Sequence, residues 1–420
     1  MRELRVKLQF SAVDLRDVGT LAEDGRGVWF EYDEAFRVAG LEISPLRLPL
    51  SGPGLVAHAV KPGVPIPGVF NDARPEGWGL KLLHRSFQAT GRAVSSVSPL
   101  EELAFLGDRT MGALVFEPST GPTGAIDDTV ELAVLAAHAQ RVFDDKVQTV
   151  LPQLVLAGGP SGGARPKALV GLRADGGAGV RYGEGELPEG WEAWLVKFPT
   201  SSDDADVGRR EVAWMAMARA AGIDVPVTQV LALEGVGDAF AVRRFDRPGG
   251  GRRVHMLSAA GALNVDFRTT SADYEQLMRA THVVCGGDQS QVLDVFRLAT
   301  FNVAAVNEDD HLKNFAYLVG ADGSWRLAPA FDLTYAPRPY GERWTTVAGV
   351  GRGVTREHLL ALAGQVGLKP AAARRALDQV ATATADVRAH LRDAGCCGPV
   401  SLAAAEAVEA ATARLGGRAS

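Results

Sequence analysis

At the start of the chain Leu4, Val6, Leu8 and Phe10 alternate with Arg5, Lys7 and Gln9, and this period of two predicts a half-buried strand over Leu4 to Phe10. Val28 to Tyr32 and Ala113 to Phe116 read as further short strands, and Trp78 to Phe87 reads as a helix. The segment EPSTGPTGAID, Glu117 to Asp127, is rich in Pro, Gly and Thr and forms the clearest boundary. Beyond it Asp128 can cap a helix running to about Phe143. Apolar runs at Ala168 to Leu172, Ala193 to Phe198 and Phe240 to Arg244 predict three strands, with a helical stretch starting at Glu211 packed against them. From His255 onward the pattern is mainly helical. There Leu377, Val380, Thr384, Val387 and Leu391 recur at intervals of three and four, marking the core face of a helix that begins near Pro370. Trp78, Trp194 and Trp214 are expected in the core. Gly416 to Ser420 are expected to be disordered.

Composition narrows the class. At 420 residues and 46% hydrophobic, the chain is long enough for two or three domains with buried cores. A net charge of −6 argues against a broad DNA-binding face. Cys285, Cys396 and Cys397 make neither a disulfide framework nor metal-ligand spacing, which fits a reducing, cytoplasmic location. The alternating start MRELRVKLQF does not read as a secretory signal. The longest uncharged run, Val147 to Ala164, is broken by prolines and glycines, so no membrane span is expected.

Three segments carry candidate chemistry. The octapeptide NEDDHLKN, Asn307 to Asn314, is followed eighteen residues later by Asp332 in APAFDLTY. Asp309 and Asn314 have the Asp-x-x-x-x-Asn spacing of a kinase catalytic loop, in which the Asp takes the acceptor hydroxyl proton and the Asn, with a later Asp, holds magnesium. Magnesium wants oxygen ligands and takes few carboxylates, since phosphate and water supply the rest. A zinc site would need thiols and imidazoles, and His311 alone does not provide them; it is expected to orient Asp309 through a hydrogen bond. A polar surface turn is the plain alternative for this composition.

The second segment, GGPSGGARPKALVGL from Gly158 to Leu172, has the glycines of a backbone that approaches a ligand closely. It is no Walker A motif, because Lys167 is followed by Ala168 rather than Ser or Thr. The third places Lys197 in a short apolar run, where an ammonium is costly without an anion. Lysine is scarce, eight against 36 arginines, yet Lys167, Lys197 and Lys313 all fall within these segments. Glu211, fourteen residues after Lys197, is placed to pair with it as a helix glutamate pairs with a strand lysine in kinases.

SGGARPKALV, WLVKFP, EVAWMAMARAAGIDVP, FAVRRFDRP, NEDDHLKN and LAPAFDL together resemble, in order and spacing, the HipA-like serine/threonine kinases, the toxin half of bacterial toxin–antitoxin modules. VGTLAEDGRGVWFEYDEAF, FNDARPEGWG and LGDRTMGALVF resemble that family's accessory domain. The resemblance implies an α+β, kinase-like two-lobed fold: an accessory domain over 1–117, a mixed nucleotide-binding lobe over 128–247 and a mainly helical catalytic lobe over 248–420. It implies ATP and Mg2+ as cofactors. Asp309 is then the catalytic base, Asn314 and Asp332 the metal ligands, and Lys197 the ATP-phosphate lysine. Ser161, Gly162, Gly163, Lys167, Glu211, Arg244, His311 and Lys313 complete the nucleotide site, with Val242 and Arg244 near the adenine. The implied partners are a protein substrate, of the aminoacyl-tRNA synthetase type, and a HipB-like helix-turn-helix antitoxin through which DNA is met only indirectly.

Two positions depart from that pattern. Family members with a regulatory phosphoserine carry it seven residues before the loop lysine, which here is Pro160; Ser161 stands one residue closer. A phosphate on Ser161 would repel a triphosphate and switch the kinase off. Arg74 occupies a position usually apolar, which points to a different accessory-domain surface. Two other functional classes compete with the kinase: a metal-dependent phosphohydrolase or nuclease using Asp309, Asp310, His311 and Asp332, and an inactive kinase-fold partner of a DNA-binding antitoxin.

Overall fold

The N-terminal alternation becomes a strand, β1 (Arg2–Ser11), that buries Leu4, Val6, Leu8 and Phe10 while Arg5 stays in solvent. In this computed structural model, residues 2–122, 131–159, 162–177, 179–183, 186–269 and 271–416 are described. They divide into two units, one made of Met1–Asp203, Leu231–Leu257 and Leu318–Ser324, the other of Asp204–Val230, Ser258–Tyr317 and Trp325–Ser420.

In the first unit β1 pairs antiparallel with β2 (Asp14–Asp24) and with β5 (Leu114–Glu117); β3 (Gly27–Tyr32) and β4 (Leu55–His58) extend the sheet in the order β4-β3-β2-β1-β5. The sequence pattern does not announce β2, because Val18 and Leu21 are its only fully buried large residues and charged side chains crowd its ends. The predicted helix forms as α1 (Gly77–Ala89) and buries Trp78, Leu82, Leu83 and Phe87. A second sheet, ordered β7-β6-β8-β10-β9, contains β6 (Lys167–Arg173), β7 (Val180–Tyr182), β8 (Trp191–Lys197), β9 (Thr228–Leu233) and β10 (Gly237–Arg243). One of its faces sends Ala168, Val170, Trp194, Val196, Ala239 and Ala241 into a core shared with Trp78, α2 (Leu132–Phe143) and α3 (Pro152–Ala157). Asp128, the expected cap of α2, lies outside the described residues, and Glu131 stands at the N-cap without a side-chain bond.

The second unit is mainly helical. Its α4 (Val207–Ala220) buries Trp214, whose indole N–H donates to the Ala305 carbonyl at 3.0 Å. Helices α5 (Tyr274–Val284) and α6 (Gln289–Ala304) pack together, and α6 also packs on α7 (Pro370–Ala385). The stripe predicted as one helix beyond Pro370 is split. At Asp386, with ψ 17° rather than a helical value, α7 ends and α8 (Val387–Asp393) begins, so Leu377, Val380 and Thr384 sit on one helix and Val387 and Leu391 on the next. All five are buried. The spacing survives a one-residue break, which is why the pattern alone reads as continuous. Of the segment expected to be disordered, Gly416 is described and 417–420 lie outside the described residues.

Candidate active site

The segment 307–314 leaves α6 through Val306, whose φ of 52° is a strained left-handed value for a β-branched residue. It closes with a short 3-10 turn, Leu312–Asn314, and there the Asn314 amide donates from Nδ2 to the Asp309 carbonyl at 2.9 Å. Asp309 is exposed as a residue, yet its carboxyl lies within a partly enclosed surround. Burial raises that carboxyl above its ordinary value; His311 opposes the rise, the charge of Asp332 adds to it, and Trp344 and Arg338 oppose it. Asp309 and Asp332 therefore act on one another as like charges. Asp332 has φ 57°, a second strained non-glycine position in the same constellation. His311 packs its ring on Phe267, 4.6 Å between centroids, and its Nδ1 is buried without a hydrogen-bond partner among the described residues. Its Nδ1 therefore takes no part in the hydrogen bond to Asp309 expected of this histidine. Lys313 is half-buried in the 3-10 turn.

Asp310 does something different from its neighbour. It is buried, and its carboxylate accepts from the Tyr274 hydroxyl at 2.8 Å, from Arg343 Nε and Nη2 at 3.0 Å each, and from the Thr345 backbone N–H at 3.2 Å. Those bonds account for the oxygens that a metal would need. Asp310 is therefore excluded from the ligand set of the phosphohydrolase or nuclease reading, because a fully hydrogen-bonded, ion-paired carboxylate has little left to offer a cation. Among the described residues no three His, Cys, Asp or Glu side chains are grouped to hold a metal ion by themselves.

In the first unit, Lys167 and Lys197 lie directly opposite each other on β6 and β8. Directly opposed residues of an antiparallel pair share a face, and like charges there repel. Lys167 is buried and Lys197, in the short apolar run, is half-buried, because β8 alternates and sends only Trp194 and Val196 inward. Lys197 Nζ stands 5.3 Å above the Phe240 ring, and Lys167 Nζ donates to the Gly162 carbonyl. Further along the same face, Leu169, Gly171, Ala193 and Arg244 help line a cavity of 190 Å³. The Arg244 guanidinium itself is bound to Asp246, with Nε and Nη2 at 3.0 and 2.9 Å. Glu211 is buried on α4 of the second unit. Pro160 and Ser161 lie outside the described residues.

The glycine-rich loop is seated on α1. Gly163 accepts from Trp78 N–H at 3.1 Å, and the Trp78 indole donates to the Lys167 carbonyl at 2.9 Å. A Cβ on Gly77 or Gly79 would stand 2.4 Å from the Gly163 or Gly159 carbonyl oxygen. Those two glycines, in FNDARPEGWG, are functional candidates that the sequence reading missed; their only signal was an unexplained pair of glycines at a helix start. Arg74 of the same motif turns to Glu102, Nε to Oε2 at 2.6 Å, which supplies the reason for a charged residue at that position.

Comparison with known proteins agrees with this picture. The HipA N-terminal domain family matches residues 12–117 and the HipA-like C-terminal domain family matches residues 160–387. A protein of Sinorhizobium fredii named "Putative kinase Y4dM" is 28% identical over 347 residues, covering 78% of this chain and 76% of its own length. A second protein with a kinase name, from Haemophilus influenzae, is 26% identical over 156 residues, 34% of this chain and 45% of its own. In fold the chain is similar to HipA of Shewanella oneidensis, solved with HipB and its operator DNA, at a TM-score of 0.70 and 17% identity over 98% of this chain and 96% of that one. No helix among the described residues is long and apolar enough to cross a membrane. With both domain families matched in order and an α+β, kinase-like fold shared with a solved member, the chain belongs to the HipA family.

Proposed function

We propose that this chain is a protein serine/threonine kinase that uses ATP and magnesium, with Asp309 as base and Asn314 and Asp332 as metal ligands. The observation that carries the reading is the Asp309 constellation: an exposed Asp whose backbone is held by Asn314 and whose carboxyl feels the charge of Asp332. Because Asn314 spends Nδ2 on the Asp309 carbonyl, Oδ1 is the end of its amide offered to a cation. One amide oxygen and one carboxylate fit magnesium, whose remaining ligands come from phosphate and water. Bound magnesium would offset charge on the phosphates.

The chain's own residues divide the remaining work. Asp309 takes the proton of the acceptor hydroxyl as its oxygen bonds to the γ-phosphorus and the bond to ADP breaks, leaving the electron pair on ADP. A carboxyl raised from its ordinary value is a stronger base for that purpose. Lys167 and Lys197, opposed across two strands, gain from an anion between them, and a triphosphate supplies it. Glu211 is assigned to Lys197, and Gly162, Gly163, His311, Lys313 and Arg244 to the surround of the nucleotide. The accessory domain is assigned to 1–117, the nucleotide-binding lobe to 128–247 and the catalytic lobe to 248–420. Family membership supports a translation protein as acceptor and a helix-turn-helix antitoxin as partner, with DNA met only through the antitoxin.

Phosphate transfer from ATP to a protein acceptor tests the assignment. Asp309→Asn is expected to keep nucleotide binding and to lower transfer on the order of 10²–10⁴-fold. Near-normal turnover by that variant would remove Asp309 from the role of base.

A further inference from the structure

We propose that Asp310, Arg343 and Tyr274 are positioning residues for Asp309, fixing the base through its backbone. The inference rests on the kinase reading and deepens it.

The geometry confines Asp309 from both sides. Its own carbonyl accepts from Asn314, while the next residue is locked by side chain and main chain together: Tyr274, Arg343 and Thr345 bond the Asp310 carboxylate, and the Thr345 hydroxyl donates to the Asp310 carbonyl. The network continues upstream. Arg343 Nη2 also donates to the Asn307 carbonyl at 3.2 Å, Asn307 donates to Asn302 at 3.0 Å, and Asn302 donates to the Tyr274 hydroxyl at 3.0 Å. The Trp344 N–H reaches the Glu308 carbonyl at 3.1 Å. Residues 307, 308, 309 and 310 are thus each bonded to something outside the loop or at its far end.

Two observations favour positioning over simple anchoring. Left-handed Val306 immediately before the loop persists only where its surroundings over-determine it. And the donors come from three separate places: Tyr274 opens α5, Asn302 lies in the last turn of α6, and Arg343 with Thr345 follows Asp332 in the chain. The stretch that follows the metal-ligand aspartate is therefore bound to the segment that carries the base, by the buried Asp310–Arg343 ion pair together with the backbone bonds of Ala336 to Val306 and Glu308. A misplacement of about 1 Å can lower a rate 10²-fold.

The test uses the full chain, ATP, magnesium and casein as acceptor. Tyr274→Phe removes one donor and leaves the ion pair; Arg343→Lys keeps the charge and loses the fork. We expect kcat to fall about tenfold and about 10²-fold respectively, with ATP affinity and magnesium requirement unchanged. In an Asp309→Asn background Tyr274→Phe should lower the residual rate no further. Normal kcat for Tyr274→Phe, or the same fractional loss with and without Asp309, overturns the inference, and so does a parallel loss of ATP affinity. Should Arg343→Lys fail to fold, Tyr274→Phe alone decides. A wild-type chain that transfers no phosphate overturns the kinase reading and this inference together, whereas an active wild type with an unaffected Tyr274→Phe overturns only the inference.

Discussion

Adjacent carboxylates in NEDDHLKN have opposite fates, and the difference is what each faces. Asp309 is exposed as a residue, its carboxyl partly enclosed beside another negative charge, while Asp310 is buried on a guanidinium and a phenol. From the sequence they are indistinguishable, since Tyr274 and Arg343 lie 36 and 33 residues away. The residues proposed as metal ligands and the lysines are expected to separate in the same way. Asp332→Asn and Asn314→Ala are expected to raise the magnesium concentration needed for ATP binding, because each removes an oxygen or its charge. Lys197→Ala should weaken ATP binding with the magnesium requirement unmoved, since the lysine acts on phosphate. Titrating magnesium against ATP affinity for the three variants distinguishes these roles; one common shift for all three would contradict the division.

At the level of elements, α1 and the glycine-rich loop form one packed pair. Helix propensity says that Gly79→Ala should stabilise α1 by up to about 1 kcal/mol. Packing says the reverse, because the new methyl would sit 2.4 Å from a backbone oxygen of Gly159, and overpacking of this kind typically costs about 1–3 kcal/mol. The clash should win. Gly79→Ala is expected to lower the melting temperature and to weaken ATP binding by moving the loop, as read by calorimetry with and without nucleotide. An unchanged or raised melting temperature would show that the loop yields freely. The strands were legible because their alternation is a local property; β2 was not, since its buried positions are few, and the α7–α8 break was not, since the apolar spacing runs through it.

For the whole molecule, His255 of the first unit links folding to pH. It is fully buried, with Nε2 3.0 Å from the Ile43 carbonyl, and burial lowers its pKa from 6.5 to about 4. The sign follows from which state binds the proton. Below pH 6.5 the unfolded chain protonates this imidazole and the folded chain does not, so stability present above that pH is lost as the pH falls to about 4. The loss attributable to this one group is about 3 kcal/mol by the energy of a pKa unit. Denaturant melts at pH 7 and pH 4.5 should show it, and His255→Gln should flatten the difference; an equal slope in both proteins would assign the acid sensitivity elsewhere.

By itself the sequence determined the strand and helix periodicity, the spacing of Asp309, Asn314 and Asp332, the scarcity of lysine outside the candidate segments, and thereby the family. These are properties of near neighbours along the chain: a side chain's face is set by a period of two or 3.6, and a loop's chemistry by residues a few positions apart. Tertiary structure alone decided that Lys167 faces Lys197, that Gly77 and Gly79 receive the glycine-rich loop, and that Asp310 is an anchor instead of a ligand. Each of those depends on a partner brought in by packing from a distant part of the chain, and a charged or backbone group takes its role from whatever neutralises or touches it there.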